Sequence, residues 1–160
     1  MMTKWVGALL GVLFFFSCGE LPEIKPSDWD KRQDFSGRRF PPSETGWWDK
    51  VSSDELDAVS PSAVQNIKKN ERWKGSGKFS SGVPVYYIFK AAVSVKVTID
   101  WEYRREDGID FAYKKVGVTI DTDNYGTVGQ NEYLVMRISP PAGFSGATGK
   151  TDWEIGFTVN

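Results

Sequence analysis

Apolar and polar positions alternate with a period of two through most of the C-terminal half of the chain. Val83, Val85, Tyr87 and Phe89 alternate with Pro84, Tyr86, Ile88 and Lys90. Val93, Val95, Val97, Ile99 and Trp101 alternate with Ser94, Lys96, Thr98 and Asp100. The same pattern returns over Val116–Ile120, Leu134–Ile138 and Trp153–Val159. In an extended strand successive side chains point to opposite faces, so each run predicts a strand with one buried face. Glu106-Asp107-Gly108, Asp123-Asn124-Tyr125-Gly126 and Pro140-Pro141-Ala142-Gly143 separate the runs with residues that favour turns. Strands joined this closely predict an antiparallel β-sandwich or open barrel of about five to seven strands.

Before residue 73 the period is helical. Ser52 and Glu55 have the spacing of a capping box, in which a hydroxyl and a carboxylate satisfy each other's free N–H groups. Ser60-Pro61 reads as a second helix start, and Lys68-Lys69 suit a helix C-terminus. Two short helices are expected, over 53–59 and 61–70. Residues 18–46 carry four prolines, many charges and no apolar period, which predicts a flexible tether. The expected organisation is a signal over 1–17, the tether over 18–46, and one β-rich domain over 47–160.

The first residues set the destination. Lys4 precedes an uncharged, mostly apolar run from Trp5 to Phe16, and Ser17 precedes Cys18. A basic start, an apolar core and a small residue at the cut form a secretory signal. The apolar run is too short to cross a hydrocarbon core of ~30 Å. Ser17-Cys18 resembles, in a relaxed form, the lipobox of bacterial lipoproteins. That resemblance implies cleavage before Cys18 and acylation of its thiol and amine. The implied location is the cell envelope, the outer membrane rather than the inner, with the lipid as the chain's only covalent group. Two or three acyl chains hold a protein durably where one binds reversibly.

Composition removes several functions. The 160-residue chain contains no histidine and one cysteine, so it lacks the commonest general base and metal ligand and cannot form an internal disulfide. A net charge of −1 is no nucleic-acid footprint. No free thiol or histidine remains to build a catalytic centre, and a non-catalytic role is expected.

Four groups of residues could still carry function. The stretch from Asp121 to Glu132 resembles the calcium loop of EF-hands. By position, Asp121, Asp123 and Glu132 would offer side-chain oxygens and Thr127 its carbonyl. Tyr125 stands at a position for a short oxygen ligand and the flanks read as strands, so a polar hairpin loop is the other reading. Lys68, Lys69, Arg72 and Lys74, with Trp73 among them, form a basic patch. Together with Trp47 and Trp48 they are the candidate partner surface, for another envelope protein, a surface ligand or acidic head groups. Trp101 and Trp153 fall on the apolar side of their strands, which predicts a core position. Asp100 and Glu102 fall on one side of a strand. Gly143–Thr151 ends like a phosphate-binding loop, but a strand follows where a helix is needed.

The expectation is a lipid-anchored, exported protein with a binding or structural role, or a glycan- or calcium-binding module on the same anchor. An exposed aromatic row would favour the module. An apolar patch at Trp47 and Trp48 would favour a protein partner.

Overall fold

The computed structural model describes residues 31–117, 126–146 and 151–160. Two β-sheets pack face to face as a sandwich. The first sheet runs β1 (Gln33–Asp34), β3 (Glu71–Lys78), β9 (Asp152–Val159), β5 (Val95–Arg104) and β7 (Thr127–Val128) in spatial order. The second runs β2 (Val64–Ile67), β4 (Val85–Ala91), β8 (Tyr133–Ser139) and β6 (Asp110–Val116). β1 and β2 lie at sheet edges and pair in parallel, and every other pairing is antiparallel. The β-sandwich expected from the alternation is present, with mixed sheets rather than purely antiparallel ones. Of the strand expected over 116–120, Val116 ends β6, and 118–120 lie outside the described residues.

Between the sheets lies an aromatic core that includes Phe35, Trp73, Tyr87, Phe89, Trp153 and Phe157. The second sheet is covered on its other side as well. There Trp47, Val51, Leu56, Tyr86, Ile88, Val116, Tyr133 and Val135 form a second apolar cluster. This explains why β4 reads Val-Tyr-Tyr-Ile-Phe with almost no polar position: a strand buried on both faces needs no solvent side. The cover is made by α1 (Trp47–Lys50) and α2 (Ser53–Asp57). The α2 capping box forms as predicted, with Glu55 N–H donating to Ser52 Oγ and Ser52 N–H to Glu55 Oε2.

The helix expected over 61–70 is not formed. Ser60 starts only a turn, closed by Ala63 N–H on its carbonyl at 2.9 Å. The β-branched Val64 and Ile67 then extend as β2, which pairs in parallel with Ile88–Ala91 of β4. Asn70, at φ 63°, turns the chain into β3.

Residues 33–46, expected to be part of the flexible tether over 18–46, are not tether. From β1 onward these residues belong to the fold. Phe35 is fully buried, its N–H donates to Lys74 O at 3.0 Å, and Phe40 pairs with Tyr86 across an isolated bridge. The domain therefore includes residues 33–46, ahead of the expected start at Trp47.

Candidate functional site

The site follows from one irregularity in β5. Val95 and Val97 point into the core, and Ile99 packs against it. Between Ile99 and Trp101 the pairing with β9 slips: Ile99 faces Phe157, and Trp101 faces Gly156. Asp100 is the extra residue of a bulge, and a bulge re-aims the side chains that follow it. Trp101 and Tyr103 therefore lie on the outer face of the first sheet, and the core position expected for Trp101 is not the one it takes. Trp153 does take its expected core position and is fully buried.

Gly156 makes room for this. A Cβ there would sit 2.1 Å from carbons of the Trp101 ring, so any side chain on Gly156 would displace the indole. The bulge is pinned from two sides. Asp100 Oδ2 accepts from Arg32 Nη1 at 2.8 Å and from Thr158 Oγ1 at 2.9 Å. Arg32 Nη1 also reaches Phe157 O at 3.1 Å and Trp73 O at 3.4 Å. The same guanidinium lies 4.5 Å from the Trp101 ring centre, so one side chain ties the indole to the bulge and to two strands.

Trp101 walls a small groove of about 190 Å³, completed by Asp34, Lys74, Gly75, Ser76 and Glu154. Two residues along, Tyr103 is 48% exposed and pairs in register with Glu154. Burial pushes the Asp34 carboxyl up, but hydrogen bonds from Ser36 and the charge of Lys74 outweigh it and hold it below the usual carboxylate range. At neutral pH the groove thus has carboxylate acceptors, an ammonium donor, and a hydroxyl that does either, beside two aromatic rings.

The residues predicted as a partner surface are scattered. Trp73 is buried in the core, stacked on Phe157, with its Nε1 donating to Glu71 Oε2 at 3.2 Å. Trp47 is buried in the second cluster against Phe40 and Tyr86. Trp48 is half-buried beside the Arg137 guanidinium and the Lys114 ammonium. Neither Trp47 nor Trp73 can serve as surface, because both fill apolar volume that would otherwise be lost. Lys68, Lys69 and Arg72 are exposed at and after the β2–β3 turn, and Lys74 alone reaches the groove.

Asp100 and Glu102 do not form a carboxylate pair. The bulge sends Asp100 to Arg32, while Glu102 accepts from Tyr113 Oη at 2.6 Å and Arg104 Nη2 at 2.9 Å. Of the calcium-loop residues, Asp121 and Asp123 lie outside the described residues, as does Cys18. Thr127 pairs with Lys96 in β7. Glu132 is buried and folds back on its own turn, where Oε2 accepts Gly129 N–H at 2.6 Å. Among the described residues no three metal-ligating side chains converge.

Sequence reasoning misses Arg32, Asp34, Tyr103 and Glu154. The one signal for them is Gly156, a glycine in mid-strand, which marks the close approach of another group.

No protein-family model matches this sequence, and no curated protein matches it. Among solved structures, the chain is similar to the crystal structure of Salmonella Typhimurium PliG, a periplasmic lysozyme inhibitor of g-type lysozyme. The likeness has 13% identity and a TM-score of 0.38, over 61% of this chain and 98% of that one, and at that level bears on neither family nor function.

Proposed function

We propose that this chain is a non-catalytic glycan-binding module held on the cell envelope by acyl chains on Cys18. The observation that carries the reading is the pair Trp101 and Tyr103 on the outer face of the first sheet, next to a polar groove. A pyranose ring has one face of C–H groups with slight positive charge. That face complements the electron-rich face of the exposed Tyr103 phenol, while Trp101, whose ring carries the Arg32 guanidinium, walls the groove beside it. The sugar's hydroxyls then need partners, since a desolvated hydroxyl left unpaired costs ~1–3 kcal/mol. Asp34 and Glu154 accept, Lys74 donates, and Ser76 does either. The groove holds about one sugar ring, and Tyr103 extends the platform to a neighbouring unit.

Recognition of this kind involves no bond making. The chain has no histidine, and Asp100 and Glu102 are engaged separately. The lipid on Cys18 supplies location and the sheet face supplies recognition.

The test is a glycan array probed with the chain from residue 18 on, carrying Cys18→Ala, beside the same chain with Tyr103→Ala or Trp101→Ala. The expected result is binding to a defined oligosaccharide class, weakened about tenfold or more by either aromatic change, the loss of ~1.4 kcal/mol or more. Equal binding by all three proteins would overturn the proposal. The anchor is tested separately, by intact mass and detergent partitioning of the wild-type protein from its envelope beside Cys18→Ala. Acyl mass and detergent partitioning in the wild type alone are expected.

A further inference from the structure

The acidic groups on the outer face of the first sheet are not equally matched. Asp100 is held by Arg32 and Thr158. Asp152 lies 3.4 Å from the Lys78 ammonium and 3.3 Å from the Arg105 guanidinium. Asp34 accepts Ser36 N–H at 2.8 Å and feels the charge of Lys74. Glu154 is exposed, and among the described residues no hydrogen bond or ion pair reaches its carboxylate. Arg72, the cation before Lys74 on β3, stands opposite Thr158, roughly 13 Å along the strand from the level of Glu154. The groove's charged lining is two carboxylates against one ammonium, which leaves one negative charge unmatched.

Register sets what stands beside that carboxylate. Glu154 lies opposite Ser76 of β3 on one side and Tyr103 of β5 on the other. Opposite side chains in an antiparallel pair share a face, with Cβ atoms ~4.5–5.5 Å apart. The two aromatic rings of the site differ in one respect. The Arg32 guanidinium already lies on the Trp101 ring, whereas among the described residues no cation lies on the exposed Tyr103 ring. An unmatched carboxylate beside an open aromatic face attracts an ammonium twice, by charge-assisted hydrogen bonding and by the negative face of the ring. We propose, resting on the sugar reading above, that this site selects glycans with a free amino group: an amino sugar seated on Tyr103, its ammonium donating to Glu154. An N-acetyl group removes that charge, as acetylation does on lysine. A uronate would set a second carboxylate against Glu154, and like charges brought together this way repel.

The test is calorimetric titration of the chain from residue 18 on, carrying Cys18→Ala, at pH ~6, where an amine with a pKa near ~8 is charged. The probes are tetramers of glucosamine, N-acetylglucosamine, glucose and galacturonate, with trilysine as an ammonium carrier that has no sugar ring. The glucosamine tetramer is expected to bind about tenfold or more tightly than any other probe, and the galacturonate tetramer most weakly of the sugars. Glu154→Gln, a change on an exposed side chain, should bring the amino sugar down to the level of the neutral sugars without moving the melting temperature. Asp107→Asn, which removes an exposed acid outside the site, should leave the preference intact. Four results would each overturn the proposal: equal binding of the free and acetylated amino sugars, a preference that survives Glu154→Gln, a preference that Asp107→Asn removes as fully, or trilysine binding as tightly as the amino sugar. Equal binding of neutral and amino sugars defeats this inference alone, whereas no binding of any sugar defeats the sugar reading with it.

Discussion

Replacing Phe35 by alanine should cost this fold about as much as any single truncation can. Phe35 belongs to the segment whose composition reads as tether, yet it is fully buried. Its ring meets Tyr87 at 4.8 Å and Phe89 at 5.2 Å, both edge-on, and Phe157 at 5.9 Å. Beneath it lies Gly75, where a Cβ would come within 2.3 Å of the ring. Nothing at Gly75 can collapse into the space that alanine leaves. A buried Phe→Ala change costs ~3–5 kcal/mol when the cavity persists, and three aromatic pairs place this one near the top of that range. The whole fold is worth ~5–15 kcal/mol. For a domain of this size the melting temperature should fall by about 10–20 °C. Urea unfolding should show a lower midpoint at an unchanged slope. The companion measurement compares chains beginning at residues 31 and 47. The first keeps Arg32 and Phe35 and should melt as the longer chain does; the second should lose cooperative unfolding. A loss below ~1 kcal/mol for Phe35→Ala, far under the range for a persistent cavity, or equal melting of the two truncations, would refute the reasoning.

Gly156→Ala should push the Trp101 indole off its seat, lowering stability by ~1–3 kcal/mol as overpacking does and weakening sugar binding with it; calorimetry and the array read the two effects. Gln65 is fully buried, and neither amide atom has a hydrogen-bond partner among the described residues, so Gln65→Leu should raise stability by ~1–3 kcal/mol in urea titration. Acid should weaken the junction between α2 and the second sheet. Hydrogen bonds from the Tyr133 hydroxyl and then the Lys90 ammonium hold the Asp57 carboxyl below its ordinary range. Its contribution is present above the ordinary carboxylate pKa and lost as pH falls through the depressed one, so Asp57→Asn should flatten the stability profile below pH ~4. Base should act oppositely on Tyr87, whose pKa burial raises above its ordinary value: stability present below pH ~10 should be lost as pH rises through the raised pKa, seen as phenolate absorbance appearing together with unfolding.

The strands legible in the sequence are those whose own side chains fill the core. β8 and β9 show their pattern because Leu134, Met136, Ile138, Trp153, Ile155 and Phe157 do their own packing. β3 is silent for the opposite reason. Its inward positions after Trp73 are Gly75 and Gly77, and the space beside them is filled by Phe35 and Trp153 from other parts of the chain. No local pattern reports a strand whose core is donated from elsewhere. β2 reads as helix because Ser60-Pro61 and Lys68-Lys69 mimic helix ends, and a strand over Val64–Ile67 is too short for its alternation to outweigh them. The capping box at Ser52 and Glu55 is legible because both partners lie within one turn. The candidate site is hidden by a register slip of one residue, which moves every later side chain to the other face. Only the bulge at Asp100 puts Trp101 outside, and its pinning partner Arg32 is 68 residues away in sequence.

The central claim is that the outer face of the first sheet binds sugar. The most direct measurement is a map of backbone amide shifts as the strongest array glycan is titrated into the chain from residue 18 on with Cys18→Ala. The account predicts saturable shifts centred on Asp34, Lys74, Ser76, Trp101, Tyr103 and Glu154. Shifts centred instead on the cluster around Trp47 and Leu56, or no saturable shifts on that face, would contradict it.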